Sequence, residues 1–210
     1  MLAVSAVLAA LSLALYLRAE YAKASRQIYL FKPLTTVIIA IFAALPSGSA
    51  STRYQLAIVI GMLLSLAGDV FLMLPGDRFV AGLISFLAAH VAYIIAFTSE
   101  VALGARPLLL VPYAVAASGV VVFLWPRLGR LRAPVIVYVS VIVLMAWQAA
   151  ARASLLGTRS AMLAAIGAAF FVASDSVLAI RKFRAAVPHA QAIVMITYVL
   201  AQWLIAASVH

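Results

Sequence analysis

The sequence predicts an all-α polytopic membrane protein with eight transmembrane helices, and three observations carry that prediction. Hydrophobic residues make up 68% of the chain and charged ones 10%, with a mean hydropathy of +1.20, whereas a soluble domain is about one-quarter charged. Eight apolar runs approach the ~20 residues that a helix rising ~1.5 Å per residue needs to cross a hydrocarbon core of ~30 Å. Helix breakers and positive charges collect in the short intervals between those runs.

The first run, 2–17, lacks a basic leader and an A-x-A-like cleavage site, so it reads as a span and not as a signal peptide. The second, 28–45, is short and carries Lys32 and Pro33; Pro46, Ser47 and Gly48 close it. The third, 54–74, ends at Pro75-Gly76, and the fourth covers 79–98. Gly104 and Pro107 flank the start of the fifth, 106–125, which Pro126 terminates. Gly157 divides the sixth, 132–150, from the seventh, 160–180, and Pro188 precedes the eighth, 189–208. No long polar linker interrupts the series, so residues 1–210 are expected to form a single membrane domain.

Charge then orients the bundle. The first, third, fifth and seventh loops hold Arg18, Lys23, Arg26, Arg78, Arg127, Arg130, Arg132, Arg181, Lys182 and Arg184, ten cations. The other loops hold four: Arg53, Arg106, Arg152 and Arg159. Positive residues concentrate on the cytoplasmic side, so the odd loops are expected there and both termini outside, in the bacterial inner membrane. The same placement accounts for the net charge of +10 without nucleic acid as a partner. With no cysteine there is no disulfide, thiolate metal site or Cys nucleophile.

A short internal echo links Gly68-Asp69-Val70-Phe71-Leu72 in the third run with Ser174-Asp175-Ser176-Val177-Leu178 in the seventh, 106 residues later. It is the pattern expected of two four-helix halves in parallel orientation, although five residues of a small-residue alphabet also match by chance.

Chemistry should come from the buried polar residues. Of five acidic residues, Glu20, Asp77 and Glu100 fall in or beside loops, where solvation suffices; Asp69 and Asp175 lie inside spans. An intramembrane carboxylate costs at least ~2.5 kcal/mol and should face the bundle interior with a partner or a task. By residue count, Lys32, Asp69 and Asp175 sit at one depth, ~6–8 Å below the interface of the odd loops, with Tyr138 slightly deeper. His90, Tyr93, Tyr198 and Gln202 fall nearer mid-membrane. His189 and His210 fall at a helix start and at the chain end, so they form no three-His set with His90 and no metal is expected. Phe79, Phe86, Trp125 and Trp147 read as packing residues or interfacial anchors.

Lys32-Pro33, Gly68-Asp69-x-x-Leu72, Phe79-x-x-Gly82-x-x-x-Phe86-x-x-x-His90-x-x-Tyr93, Phe170-x-x-x-Ser174-Asp175-Ser176 and Tyr198-x-x-x-Gln202, in this order and spacing, resemble the YhhN-like lysoplasmalogenase family. The resemblance covers the second to eighth runs. It implies an eight-span hydrolase without a cofactor that cleaves the vinyl-ether bond of lysoplasmalogens, giving a fatty aldehyde and glycerophosphocholine or glycerophosphoethanolamine. The partners it implies are a lysophospholipid substrate and the lipid bilayer. It makes Asp69 and Asp175 catalytic, with Lys32, His90, Tyr93, Tyr138, Ser174, Tyr198 and Gln202 binding substrate.

That chemistry suits two carboxylates. Vinyl-ether hydrolysis protonates the β-carbon, and water captures the resulting oxocarbenium ion to give a hemiacetal that collapses. One carboxyl group can keep its proton and the other its charge in a low-dielectric pocket, as in glycosidases. The competing readings are a proton-coupled or small-molecule transporter, in which the intramembrane charges form a path, and a scaffold in which they merely lock helices together.

Overall fold

The computed structural model describes residues 1–46, 48, 50–184 and 186–210. Ser47, within the breaker after the second run, lies outside the described residues. The eight runs form α1 (Leu2–Tyr21), α2 (Ser25–Ala44), α3 (Thr52–Met73), α4 (Phe79–Phe97), α5 (Leu110–Leu124), α6 (Arg132–Leu156), α7 (Arg159–Phe183) and α8 (Ala190–Ala207). Among the described residues there is no strand. Each helix, α5 counted with its flanking turns, is long and apolar enough to cross a membrane.

Local chemistry fixes the ends. Ser51 and Thr158 cap α3 and α7, their side chains accepting from the backbone N–H of Tyr54 and Ala161. Gly157, at φ +61°, takes the left-handed conformation that ends α6. The fifth span is only in part α-helical: Pro107–Leu109 and Trp125–Arg127 are 3-10 turns with a proline in the first positions of each. The sixth span runs past the expected boundary at 150 to Leu156, because Arg152 is a buried helix residue and not a solvated loop cation.

The two most extensive helix pairs are α3 with α4 and α7 with α8. Absent side chains allow this closeness. A Cβ on Gly68 would lie 2.6 Å from the Phe86 ring, and one on Gly167 would lie 2.9 Å from the carbonyl oxygen of Ala201. The packing repeats at half-chain intervals. α2 packs on α3 as α6 packs on α7, while α2 crosses to α8 and α6 crosses to α4. This is the exchange expected of two parallel halves, and it places Asp69 and Asp175 on equivalent helices. α5 lies at the margin, contributing only Leu124 to the buried residues.

Candidate active site

Two cavities meet beneath the odd loops. The larger, about 450 Å³, is polar and is walled by α1, α2, α3, α4, α7, α8 and the turn between α3 and α4. The smaller, about 100 Å³, is an apolar slot between α4, α5, α6 and α7, lined by residues such as Leu83, Val120, Ile142 and Val172. Leu72, Phe79, Phe86, Asp175 and Leu178 line both. Asp175 is therefore the carboxyl group at the junction, whereas Asp69 faces the polar cavity alone.

Asp69 is 3% exposed and densely held. Its Oδ2 accepts from Thr36 Oγ1 at 2.8 Å and Tyr198 OH at 2.7 Å, and its Oδ1 lies 3.5 Å from Lys32 Nζ. Lys32 also donates to the Asp69 backbone oxygen at 3.3 Å. Spacing explains how α2 supplies two of these groups, since Lys32 and Thr36 lie four residues apart on one helix face. Among the described residues Asp175 is held by one side-chain hydrogen bond, donated to its Oδ2 by Tyr138 from α6. Among the described residues it has no cationic partner.

Of the remaining residues picked from the sequence, Ser174 lines the polar cavity and donates to the Val194 carbonyl at 3.0 Å. Tyr198 and Lys32 also line it, and Tyr138 lines the slot. His90, Tyr93 and Gln202 are not brought to either wall. Tyr93 donates to Gln202 Oε1 at 2.7 Å behind the cavity floor. The His90 ring is packed against Phe171 and Tyr138, with centroids 4.7 and 5.3 Å away. Phe171 packs against both His90 and Tyr93. Phe79 and Phe86, expected only to pack or anchor, line both cavities.

Two loop acids expected to be merely solvated also line the cavity mouth. Glu20 accepts from Tyr16 OH at 3.2 Å, and Gln191 Nε2 donates to Tyr16 OH at 2.6 Å. Arg181 donates to Gln191 Oε1. Asp77 Oδ1 lies 2.7 Å from Lys182 Nζ, which sits 5.0 Å over the Phe79 ring. Lys182 holds the exposed Asp77 carboxyl below its usual range. Arg78 is a further cation on this rim. Sequence reading had signals for Thr36 and Tyr16, each four residues from a charged residue on the same helix, but none for Gln191.

The donors do not make a metal centre. Among the described residues no group of three or more His, Cys, Asp or Glu side chains is placed to hold an ion.

The model of the YhhN family matches residues 27–209. The chain is 38% identical over 157 residues to lysoplasmalogenase TMEM86A of Bos taurus, covering 72% of this chain and 64% of that protein. It is 35% identical over 162 residues to a lysoplasmalogenase of Mycobacterium bovis, covering 73% and 59%. An uncharacterized membrane protein YhhN of Escherichia coli is 28% identical over 194 residues, 91% of each chain. The chain therefore spans less than two-thirds of the length of the lysoplasmalogenases just described. No solved structure gives a significant match.

Proposed function

The chain belongs to the YhhN family, and from that premise we propose that it is a lysoplasmalogenase, hydrolysing the vinyl ether of a lysophospholipid within the membrane. The observation that carries the reading is the position of Asp175, shared by a polar cavity and an apolar slot. A lysoplasmalogen has the same division: a charged head group on glycerol, an enol-ether oxygen, and then a hydrocarbon chain. With the head in the polar cavity and the chain in the slot, the vinyl ether falls beside Asp175.

Direction assigns the roles. The β-carbon lies on the chain side of the enol-ether oxygen, so the carboxyl group reaching into the slot, Asp175, is the proton donor. Asp69 faces the head side, where the oxocarbenium charge develops. Its two hydroxyl donors and Lys32 maintain a carboxylate there. Water then adds to the α-carbon and gives a proton to the Asp175 carboxylate. Collapse of the hemiacetal returns a proton to the glyceryl oxygen and releases aldehyde and glycerophospho-alcohol. Arg78 and Arg181 on the rim meet the phosphate. Holding the bond between the two carboxyl groups supplies the orientation that the reaction requires.

Purified protein in detergent, given a 1-alkenyl lysophospholipid, should release fatty aldehyde. A carrier needs a sealed vesicle and would show no turnover in this assay, which would sink the hydrolase reading. Chelators should leave the rate unchanged, because among the described residues no three His, Cys, Asp or Glu side chains are grouped to hold an ion. We place the protein in the bacterial inner membrane with the odd loops cytoplasmic. Paired reporter fusions at His210 should therefore report the external side; a cytoplasmic signal would invert the topology.

A further inference from the structure

Of the five acidic side chains, Asp69, Asp77 and Glu100 each have a cationic partner, and Asp175 is bound by Tyr138 at the reaction centre. Glu20 is the exception. It lies in the last turn of α1 on the wall of the polar cavity, and its contact is the Tyr16 hydroxyl at 3.2 Å. Among the described residues no lysine or arginine pairs with it.

Arg181, one of the cations lining the same mouth, is kept from it by neutral groups. Arg181 donates to Gln191, Gln191 donates to Tyr16, and Tyr16 donates to Glu20. Guanidinium and carboxylate thus occupy opposite ends of one hydrogen-bonded chain with two uncharged side chains between them. Tyr16 is fully buried, which fixes the middle of this chain. Had the two charges been in contact they would neutralise each other and leave nothing for a ligand. Held apart, they match a dipolar head group: phosphate toward Arg181, and a cation one short linker away toward Glu20.

We propose that Glu20 is an ammonium subsite of the polar cavity, selecting lysophospholipid head groups that end in a positively charged amine over those that end in an uncharged alcohol. The proposal rests on the reading of this cavity as a lysophospholipid site. It concerns a helix, α1, that lies outside the stretch matched by the family model.

The test uses binding, with the full chain purified in detergent and 1-acyl lysophospholipids, which carry an ester in place of the vinyl ether. Wild type should bind the ethanolamine lipid about fivefold more tightly than the glycerol lipid, the scale of one partly exposed ion pair. Glu20→Gln should bring that ratio close to one by weakening only the ethanolamine lipid. Arg181→Gln should weaken both alike. An unchanged ratio in Glu20→Gln, or equal loss for both lipids, overturns the proposal. Where Glu20→Gln does not purify, salt decides on wild type alone. The preference should shrink as ionic strength rises, and a wild type without preference, or with one indifferent to salt, overturns it. Aldehyde release from the 1-alkenyl lipid is scored separately. Its absence refutes the hydrolase and leaves the binding ratio to judge Glu20.

Discussion

Two ion pairs stand at opposite ends of the bundle, one buried on both sides and one with a half-exposed carboxylate, and they are built differently. On the side opposite the cavity, Arg152 is 3% exposed; its Nε and Nη2 reach one Glu100 oxygen at 2.7 and 2.5 Å. Its guanidinium stacks 4.6 Å over Tyr54 and contacts Ser160. Ser160 and Tyr54 in turn bond Ser208 at 2.6 and 2.7 Å. That cluster ties α3, α6, α7 and the C-terminal end of α8 to the loop after α4. Lys32 and Asp69 stand 3.5 Å apart at the wall of an open cavity, with the carboxylate divided among three donors from two helices. A close pair tied by its neighbours into a network across four helices is a staple, whereas a loose pair facing a cavity is available to a ligand.

The sharpest way to break the comparison is at the cavity end. Asp175→Asn removes the proposed donor and should lower kcat by about 10²–10⁴-fold, the usual worth of general acid catalysis, while the protein purifies with an unaltered melting temperature. Asp69→Asn should be comparably damaging, and the double variant little worse than either, because members of one catalytic unit are not additive. Multiplicative losses would mean that the two carboxyl groups act in separate processes. Single-turnover aldehyde release measures all three variants.

The two pairs should then differ in turnover per folded molecule. Lys32→Gln should lower kcat per folded molecule by about 10- to 100-fold, the worth of a charge-assisted hydrogen bond, and, because both partners are buried, should also destabilise by about 3 kcal/mol. Arg152→Gln should destabilise by about 2 kcal/mol, between a surface and a fully buried pair because Glu100 is half-exposed. Activity per folded Arg152→Gln molecule should be unchanged. If Arg152→Gln lost turnover while folding normally, the staple would have to be redrawn as part of a transmembrane path, and the carrier reading would gain. Tyr138→Phe belongs between these cases. It removes the one hydrogen bond on Asp175 and should reduce kcat about tenfold with KM preserved.

The contrast also shows what the sequence made visible. Span number followed from hydropathy alone, and the cost of a charge in hydrocarbon singled out Lys32, Asp69 and Asp175. Counting residues from the odd-loop ends put them at one depth, and the structure brings Lys32 to Asp69 and Tyr138 to Asp175. Depth is not direction, however. His90, Tyr93 and Gln202 have the polarity of site residues but line neither cavity, because rotation about the helix axis is set by packing partners remote in sequence. Arg152 was hidden for a related reason: its partner Glu100 is 52 residues away, so it read as a loop cation. The polar straps at the mouth were hidden too, since Gln191 and Lys182 gain meaning only from Tyr16 and Asp77, which lie on other elements.

The smallest effect is expected at the rim, where a third ion pair provides a control for the other two. Asp77 and Lys182 are 2.7 Å apart, closer than Lys32 and Asp69, yet their side chains are 75% and 35% exposed. Water screens such a pair, so proximity alone should confer little. Lys182 holds the Asp77 carboxyl below its ordinary value. The contribution of a carboxyl depressed in the folded state is present above its unfolded value, near 3.9, and is lost as pH falls through the folded one. Nothing should therefore change between about pH 5 and pH 8. Asp77→Asn should alter KM by no more than about twofold across that window. The direction should be downward, because the freed Lys182 adds a cation to a rim that meets phosphate, and salt should erase the difference. A tenfold change in kcat for Asp77→Asn would show that a solvent-screened pair governs the chemistry. Exposure could then no longer separate the functional ion pairs of this bundle from the incidental ones.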